Sequence, residues 1–301
     1  MPVAPHRPEA LSGRVFRGTW ATAQGLLTPA QLRSSAWRTL RRDVYADSRL
    51  VVTHQVQGVG VSLVMPRTAA LAGLTAATLW GASELAGADD PVEVVVPPGA
   101  RWTPGPGVVV RTAPLDGDVV VGRRGMRLTG RVRTALDLIR RGPVEDGVVL
   151  LDQLVHAGVV RLDDVRAMAE RLPRSRGSRV AREVAGLADG RAESPQETRL
   201  RLLFRRAGLP APVAQYRVFD DDGFVARLDF AYPDLRIAIE YDGLWHGERR
   251  TFLDDRRRLN RLTAAGRLVI HVTLEDLRRP EWLIAGIQAA RAGRLAMIST
   301  Y

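Results

Sequence analysis

Asp229, Glu240 and Asp242 are the residues of this 301-residue chain whose types and spacing could do chemistry. Side chains alternate across a strand. In 235–242, Ile237, Ile239 and Tyr241 therefore share one face, while Ala238, Glu240 and Asp242 share the other. The first face is apolar and suits a core. The second carries two carboxylates at the end of a strand. Carboxylates set side by side raise one another's pKa unless a cation sits among them. Oxygen ligands on a rigid strand pair suit a hard divalent ion, Mg2+ or Mn2+. Such an ion activates water and stabilises charge on a phosphate under attack, the chemistry of phosphodiester cleavage. A strand-end acid is also commonly a solvated surface residue, and the spacing alone fits both readings.

The elements that must position these residues follow from the flanking sequence. Residues 225–232 read as a strand, and Pro233-Asp234 as a turn into 235–242, which makes an antiparallel hairpin and brings Asp229 near Glu240. Gly243 breaks the second strand and lets Trp245 and His246 come over its end. Arg227 shares the face of Asp229 and could hold a phosphate or neutralise the acids. The spacing predicts a helix over 252–265 with Arg256, Arg257, Arg258 and Arg261 on it, able to track phosphates beside the acids. A last strand over 268–272 closes the sheet, with His271 a packed or hydrogen-bonded residue within it, and a helix over 282–291 covers it. Upstream, Ser194-Pro195-Gln196-Glu197 is a helix start: Ser194 caps, Pro195 takes the first helical position and Glu197 the capping-box position. That accounts for Glu197 without any catalysis.

Glu193-Ser194-Pro195-Gln196-Glu197, Leu228-Asp229-Phe230, Ile239-Glu240-Tyr241-Asp242-Gly243, His246, Asp255-Arg256-Arg257 and Ala265-Gly266 together resemble the DUF559 family. That family lies in the very-short-patch-repair-like branch of the PD-(D/E)XK nuclease superfamily. The resemblance covers roughly residues 191 to 290, with its parts in order. It implies a mixed sheet flanked by helices and a metal held by the motif carboxylates. Asp229 matches the motif aspartate, Glu240 the following acid, Glu197 the acid of the first helix and His246 the histidine after the turn. Asp242 stands where the wider superfamily has its lysine, and the branch resembled carries aspartate there too. The resemblance thus leaves His246 as the substitute for the usual general base.

At the other end, Thr28-Pro29-Ala30-Gln31 is a second capping signature, with Leu32, Ala36 and Trp37 at helical spacing after it. A helix within 16–25, this second helix and a short strand at 43–46 form the pattern of a winged helix. Residues 25–33 and Arg41-Arg42-Asp43-Val44-Tyr45 are similar to the winged-helix domain of AbiEi-type antitoxins. Arg33, Arg38, Arg41 and Arg42 are then the recognition-helix candidates for nucleic acid, or else a solvated helix face. Residues 1–12 read as disordered. Between the ends, residues 51–170 read as a mixed α/β scaffold that could engage a protein partner. It includes a helix over 66–80 interrupted near Gly73, strands at 92–96, 108–111 and 119–121, and helices over 129–141, 148–156 and 162–172. Residues 171–190 open with five arginines and no acid over 171–182. They read as a basic linker, lying along a phosphate backbone or simply solvated.

Composition narrows the class. All 44 basic residues are arginine and the formal net charge is +11, which favours phosphate-rich partners, DNA before RNA. A GC-rich coding sequence explains arginine over lysine but not the excess of charge. With no cysteine there is no disulfide framework and no thiolate metal site. No apolar run approaches a membrane span, and a cytoplasmic location is expected. The expected class is mixed α/β, with a winged-helix-like region at 1–50 and an endonuclease-like domain at 191–301. The expected activity is Mg2+- or Mn2+-dependent cleavage of DNA. The alternative is a non-catalytic DNA-binding regulator of antitoxin type on a degenerate nuclease fold.

Overall fold

The computed structural model describes residues 5–115, 117–122, 125–242 and 249–299. The protein is a mixed α/β chain. It divides into two compact units, one made of Met1–Gly142 with Ala157–Gly186, the other of Pro143–His156 with Leu187–Tyr301. Among the described residues, no helix is long and apolar enough to cross a membrane.

The first unit opens with β1 (Val15–Arg17), α1 (Gly18–Ala23), β2 (Trp37–Arg41) and β3 (Val44–Asp47), the strands pairing antiparallel in the order β1-β3-β2. The second helix of the expected winged helix is reduced to one 3-10 turn, Gln31–Arg33. Its capping signature forms as read: Gln31 N donates to Thr28 Oγ1 at 3.2 Å and Thr28 N to Gln31 Oε1 at 2.8 Å. The chain then extends, because Trp37 packs edge-on against Phe16 at 5.1 Å and pairs with Asp47 across the hairpin. Arg33 sits on the 3-10 turn, Arg38 and Arg41 on a strand, and Arg42 at the hairpin turn beside Asp43 (φ 62°); none lies on a recognition helix. Residues 5–12 are not disordered. Leu11 is in the core, and Arg7 reaches Asp47 at 3.2 Å.

The unit continues through α2 (His54–Ser62), β4 (Ala70–Leu71), α3 (Gly73–Trp80), β5 (Val92–Val96), β6 (Val108–Thr112), β7 (Val119–Val121), β8 (Arg127–Thr129) and α4 (Arg131–Ile139), with strand order β6-β5-β4-β8-β7. The helix expected over 66–80 is split, its first part becoming β4. The cause is Glu93, buried on β5, whose Oε1 accepts from Leu74 N at 2.9 Å at the start of α3. Gly73 stands against that carboxylate at φ +55°, where an added Cβ would lie 2.1 Å from Glu93 Oε1. Thr129 ends β8, and Gly130 takes the cap of α4.

After α4 comes α5 (Val144–His156), which belongs to the second unit; α6 (Leu162–Arg171) and α7 (Ser178–Leu187) follow. The compact units therefore meet in the chain at 142/143, 156/157 and 186/187, the last of these close to the expected start of the C-terminal domain at 191. The basic stretch 171–190 is not a linker, since its second half is α7, with Ala181, Val184 and Ala185 buried. What draws α5 across is Asp152, which is fully buried. Its carboxylate accepts from Asp189 N and Gly190 N at 2.9 Å, Thr198 Oγ1 at 2.9 Å and Arg201 Nη2 at 2.8 Å.

The second unit adds α8 (Pro195–Arg206), β9 (Val213–Asp220), β10 (Gly223–Tyr232), β11 (Ile237–Tyr241), α9 (Arg249–Ala264), β12 (Leu268–Val272), α10 (Leu274–Arg278) and α11 (Pro280–Ser299). The hairpin β10–β11 is antiparallel, in the register Phe230↔Ile239 and Tyr232↔Ile237. β12 runs parallel to β11, which requires a crossover, and α9 supplies it. One sheet face packs Phe230, Tyr232, Ile237 and Ile239 against Leu200, Leu203 and Phe204 of α8 and Leu283 and Ile287 of α11. The other face packs Ala231 and Ala238 with Leu262 of α9. This is the mixed sheet flanked by helices expected for the C-terminal part, and Ile237, Ile239 and Tyr241 do face its core.

Removing a partner from a buried ion pair leaves an uncompensated charge and costs about 3–5 kcal/mol. Asp152→Ala should therefore destabilise the chain by about 3 kcal/mol, read as a lowered urea midpoint. A loss under about 1 kcal/mol would show that Asp152 does not anchor α5.

Candidate functional site

The crossover topology sets the site. Glu240 lies on the face that α9 covers, and it is buried. Leu262 fixes which side of α9 meets the sheet, and Arg258, one turn earlier, shares that side. Arg258 Nη1 donates to Glu240 Oε1 at 2.5 Å. Glu240 Oε2 is buried and has no hydrogen-bond partner among the described residues.

Asp229 lies on β10, half-buried beside the end of β11, where its Oδ2 accepts from Tyr241 N at 2.8 Å. Its carboxyl is raised to about 6: burial is the largest cause, the Tyr241 hydrogen bond opposes it, and the neighbouring charges of Glu197, Glu240 and Glu193 add to the rise. The hairpin thus brings Asp229 and Glu240 into one electrostatic neighbourhood, as the spacing implies. It also draws in Glu197 from α8.

Glu197 is buried. Its N–H meets Ser194 Oγ at 3.2 Å, the capping contact read from sequence. Its carboxylate does more than cap: Oε2 accepts from Glu193 N and from Gln215 Nε2, both at 3.0 Å. Gln215 lies on β9 between the pairs Leu228↔Tyr216 and Phe230↔Ala214, across from Asp229. Its φ is 54°, the left-handed region, which is uncommon for any residue but glycine.

Asp242, just past β11, is exposed and faces His271 on β12, with Nδ1 at 3.0 Å from Oδ2. His271 is hydrogen-bonded as expected, but it is exposed and not part of the core. Arg227 donates to Glu193 Oε2 at 2.6 Å and so neutralises an acid at the edge of the cluster. Arg256 and Arg257 are exposed on α9, the latter 3.5 Å from Asp254. Gly243, Trp245, His246 and the side chain of Asp255 lie outside the described residues. Among the described residues, no group of three His, Cys, Asp or Glu side chains stands at metal-holding spacing.

Sequence reasoning missed Arg258 as the partner of Glu240, Gln215 as the partner of Glu197, and His271 as the partner of Asp242. The first was accessible: Leu262 is one of the few apolar residues of a polar helix, and position 258 lies one turn before it. The second was not, because a left-handed glutamine within a strand leaves no local signal.

No family model matches the chain. The uncharacterized proteins MT2308 of Mycobacterium tuberculosis strain CDC 1551 / Oshkosh and Rv2248 of strain ATCC 25618 / H37Rv are each 32% identical over 237 residues, spanning 75% of this chain and 84% of theirs. This chain belongs to their family. The crystal structure of the RV2827C protein from Mycobacterium tuberculosis aligns over 68% of this chain and 83% of its own, at 15% identity and a TM-score of 0.38. Membership in the mycobacterial family brings no stated activity with it, so the functional reading rests on the carboxylates themselves.

The raised carboxyl of Asp229 has a consequence for stability. In the folded chain Asp229 keeps a proton that the unfolded chain releases near pH 4. Its contribution is fully present below about pH 4 and is lost as pH rises through about 6. Between those pH values the native chain should lose up to about 3 kcal/mol relative to Asp229→Asn. Urea midpoints for both proteins across that range check this; parallel curves would refute it.

Proposed function

We propose that the second unit is a divalent-metal-dependent endonuclease domain acting on DNA. The observation that supports this most is the buried Oε2 of Glu240, without a partner among the described residues, beside an Asp229 whose carboxyl burial has raised. A buried carboxylate oxygen without a donor is costly, and so is a cluster of acids short of counter-charge. Both fit a hard cation, so the residues present suit Mg2+ or Mn2+. Asp229 and Glu240 would hold the ion; since no three acids stand at metal-holding spacing among the described residues, Asp242, paired with His271, would be an acid beside the site and not a third ligand. When bound, the ion supplies a nucleophile at neutral pH and charge stabilisation for the phosphate.

The chain's own residues would do the rest. Glu197 keeps Gln215 against the acid cluster, and Arg258 balances one charge of Glu240. His246 positions or deprotonates water in the place left by the missing lysine. Arg227, Arg256 and Arg257 contact phosphates, while Arg33, Arg38, Arg41 and Arg42 form a basic strand-and-turn surface for DNA in the first unit. The net charge of +11 supports a nucleic-acid partner, and a cytoplasmic location goes with that reading. Residues 51–170 would serve a protein partner.

One observation favours the regulator as a second reading. Arg258 already occupies Glu240 Oε1 at 2.5 Å, a cation built into the place where catalysis would want a metal.

Wild type incubated with supercoiled DNA and Mn2+ should nick it, and Asp229→Ala and Glu240→Ala should each reduce the rate by at least about a hundredfold. Nicking equal in all three proteins would reject the carboxylate mechanism. No nicking together with tight DNA binding would select the regulator.

A further inference from the structure

We propose that the first unit contains a phosphate-binding cleft, distinct from the acids of the second unit and independent of any chemistry there. The cleft has a volume of about 840 Å³. Among the described residues, five guanidinium side chains line it: Arg111 from β6, Arg133 from α4, Arg140 and Arg141 just past α4, and Arg176 from the loop before α7. Leu136, Met168 and Leu172 supply an apolar wall. Arginine forks match phosphoryl oxygens in pairs, and an apolar wall beside them suits a base or a sugar. The volume is that of a small-ligand site.

The charge in the cleft does not cancel. Glu93 is shared by Arg111 at 3.3 Å and Arg141 at 2.9 Å. Asp118 and Asp137 both take Arg133, at 2.6 and 2.7 Å, and Asp137 lies 3.8 Å from Arg140. Three carboxylates thus answer five guanidinium groups among the described residues, leaving two positive charges. Arg176 is exposed and makes no ion pair among those residues, and Arg111 keeps nearly half its side chain in solvent at 47%.

The loop that carries Arg176 is held in place. Arg140 Nη2 donates to Ser175 Oγ and to the Arg176 carbonyl, both at 3.1 Å. Gly177 closes the loop at φ +82°, where an added Cβ would stand 2.6 Å from the Arg140 carbonyl oxygen. The arginine-rich run 171–182 is therefore half cleft wall and half helix. A positively charged cleft with a fixed rim is set up in advance for an anion, and the ligand is a phosphoryl group, carried by a free nucleotide or by a nucleic-acid backbone.

The test uses the full chain and two probes, ATP in calorimetry and a short fluorescein-labelled DNA duplex in anisotropy. The variants are Arg176→Ala, which removes no described ion pair, and Arg111→Ala with Arg176→Ala, in which Arg141 still holds Glu93. Melting curves confirm that both fold. The double variant should bind at least one probe about tenfold more weakly, with a salt slope shallower by about 1 for each phosphate no longer neutralised. Weakening for ATP alone assigns the site to free nucleotides, and weakening for the duplex assigns it to the nucleic-acid backbone. An Arg256→Ala/Arg257→Ala control reports the second unit separately. Unchanged affinity for both probes in the double variant, or no binding of either probe by wild type, overturns the proposal.

Discussion

A carboxylate taken out of water must be given a cation or several donors, and in a chain without lysine the cation is a guanidinium. Asp47 has Arg7, Glu93 has Arg111 and Arg141, Asp152 has Arg201, and Glu240 has Arg258. These pairs join segments far apart in sequence. Arg7 fixes the N-terminal strand region, Glu93 seats the start of α3, and Asp152 attaches α5 to α8. The rest of the architecture is apolar packing that these contacts align. Arginine suits the task because its planar fork can serve two acceptors while its stem packs on neighbouring side chains.

The carboxylate cluster of the second unit departs from that pattern. Asp152 has all four of its hydrogen bonds in place, whereas Glu240 has one oxygen held and the other left over. Among the described residues Asp229 sits with acids and has no arginine in hydrogen-bond contact, and its carboxyl is raised instead. The backbone is also unusual there, with Gln215 left-handed across from Asp229. Leftover polar valence and local strain in one place are what a site adapted to something beyond the fold exhibits.

The sequence made the second unit readable because its two periodicities are clean. Alternation in 237–242 placed Ile237, Ile239 and Glu240 on their correct faces, and Ser194-Pro195 marked the start of α8. The N-terminal region was misread where a correct local signal met a stronger distant one. Thr28 and Gln31 do cap, but Trp37 gains more by packing on Phe16 within a strand than by extending a helix. The helix over 66–80 begins only at Gly73, where an interruption was expected, and its first half became β4 for the same kind of reason, since Glu93 enters from a later strand. The basic run 171–182 looked like a linker because charge is visible in a sequence, whereas Ala181, Val184 and Ala185 show their helical face only against a partner.

The placement of α5 makes the connectivity interleaved. Synthesis delivers most of the first unit, then one helix of the second, then the last piece of the first, and only afterwards the remainder of the second. Any single cut that keeps one unit whole leaves a piece of the other attached to it. On the ribosome, α5 must wait with an unmatched buried acid until Thr198 and Arg201 emerge some fifty residues later. A gene fragment that begins at residue 171 or 191 would encode the sheet and all of its candidate acids, yet leave Arg201 without the carboxylate it was folded around.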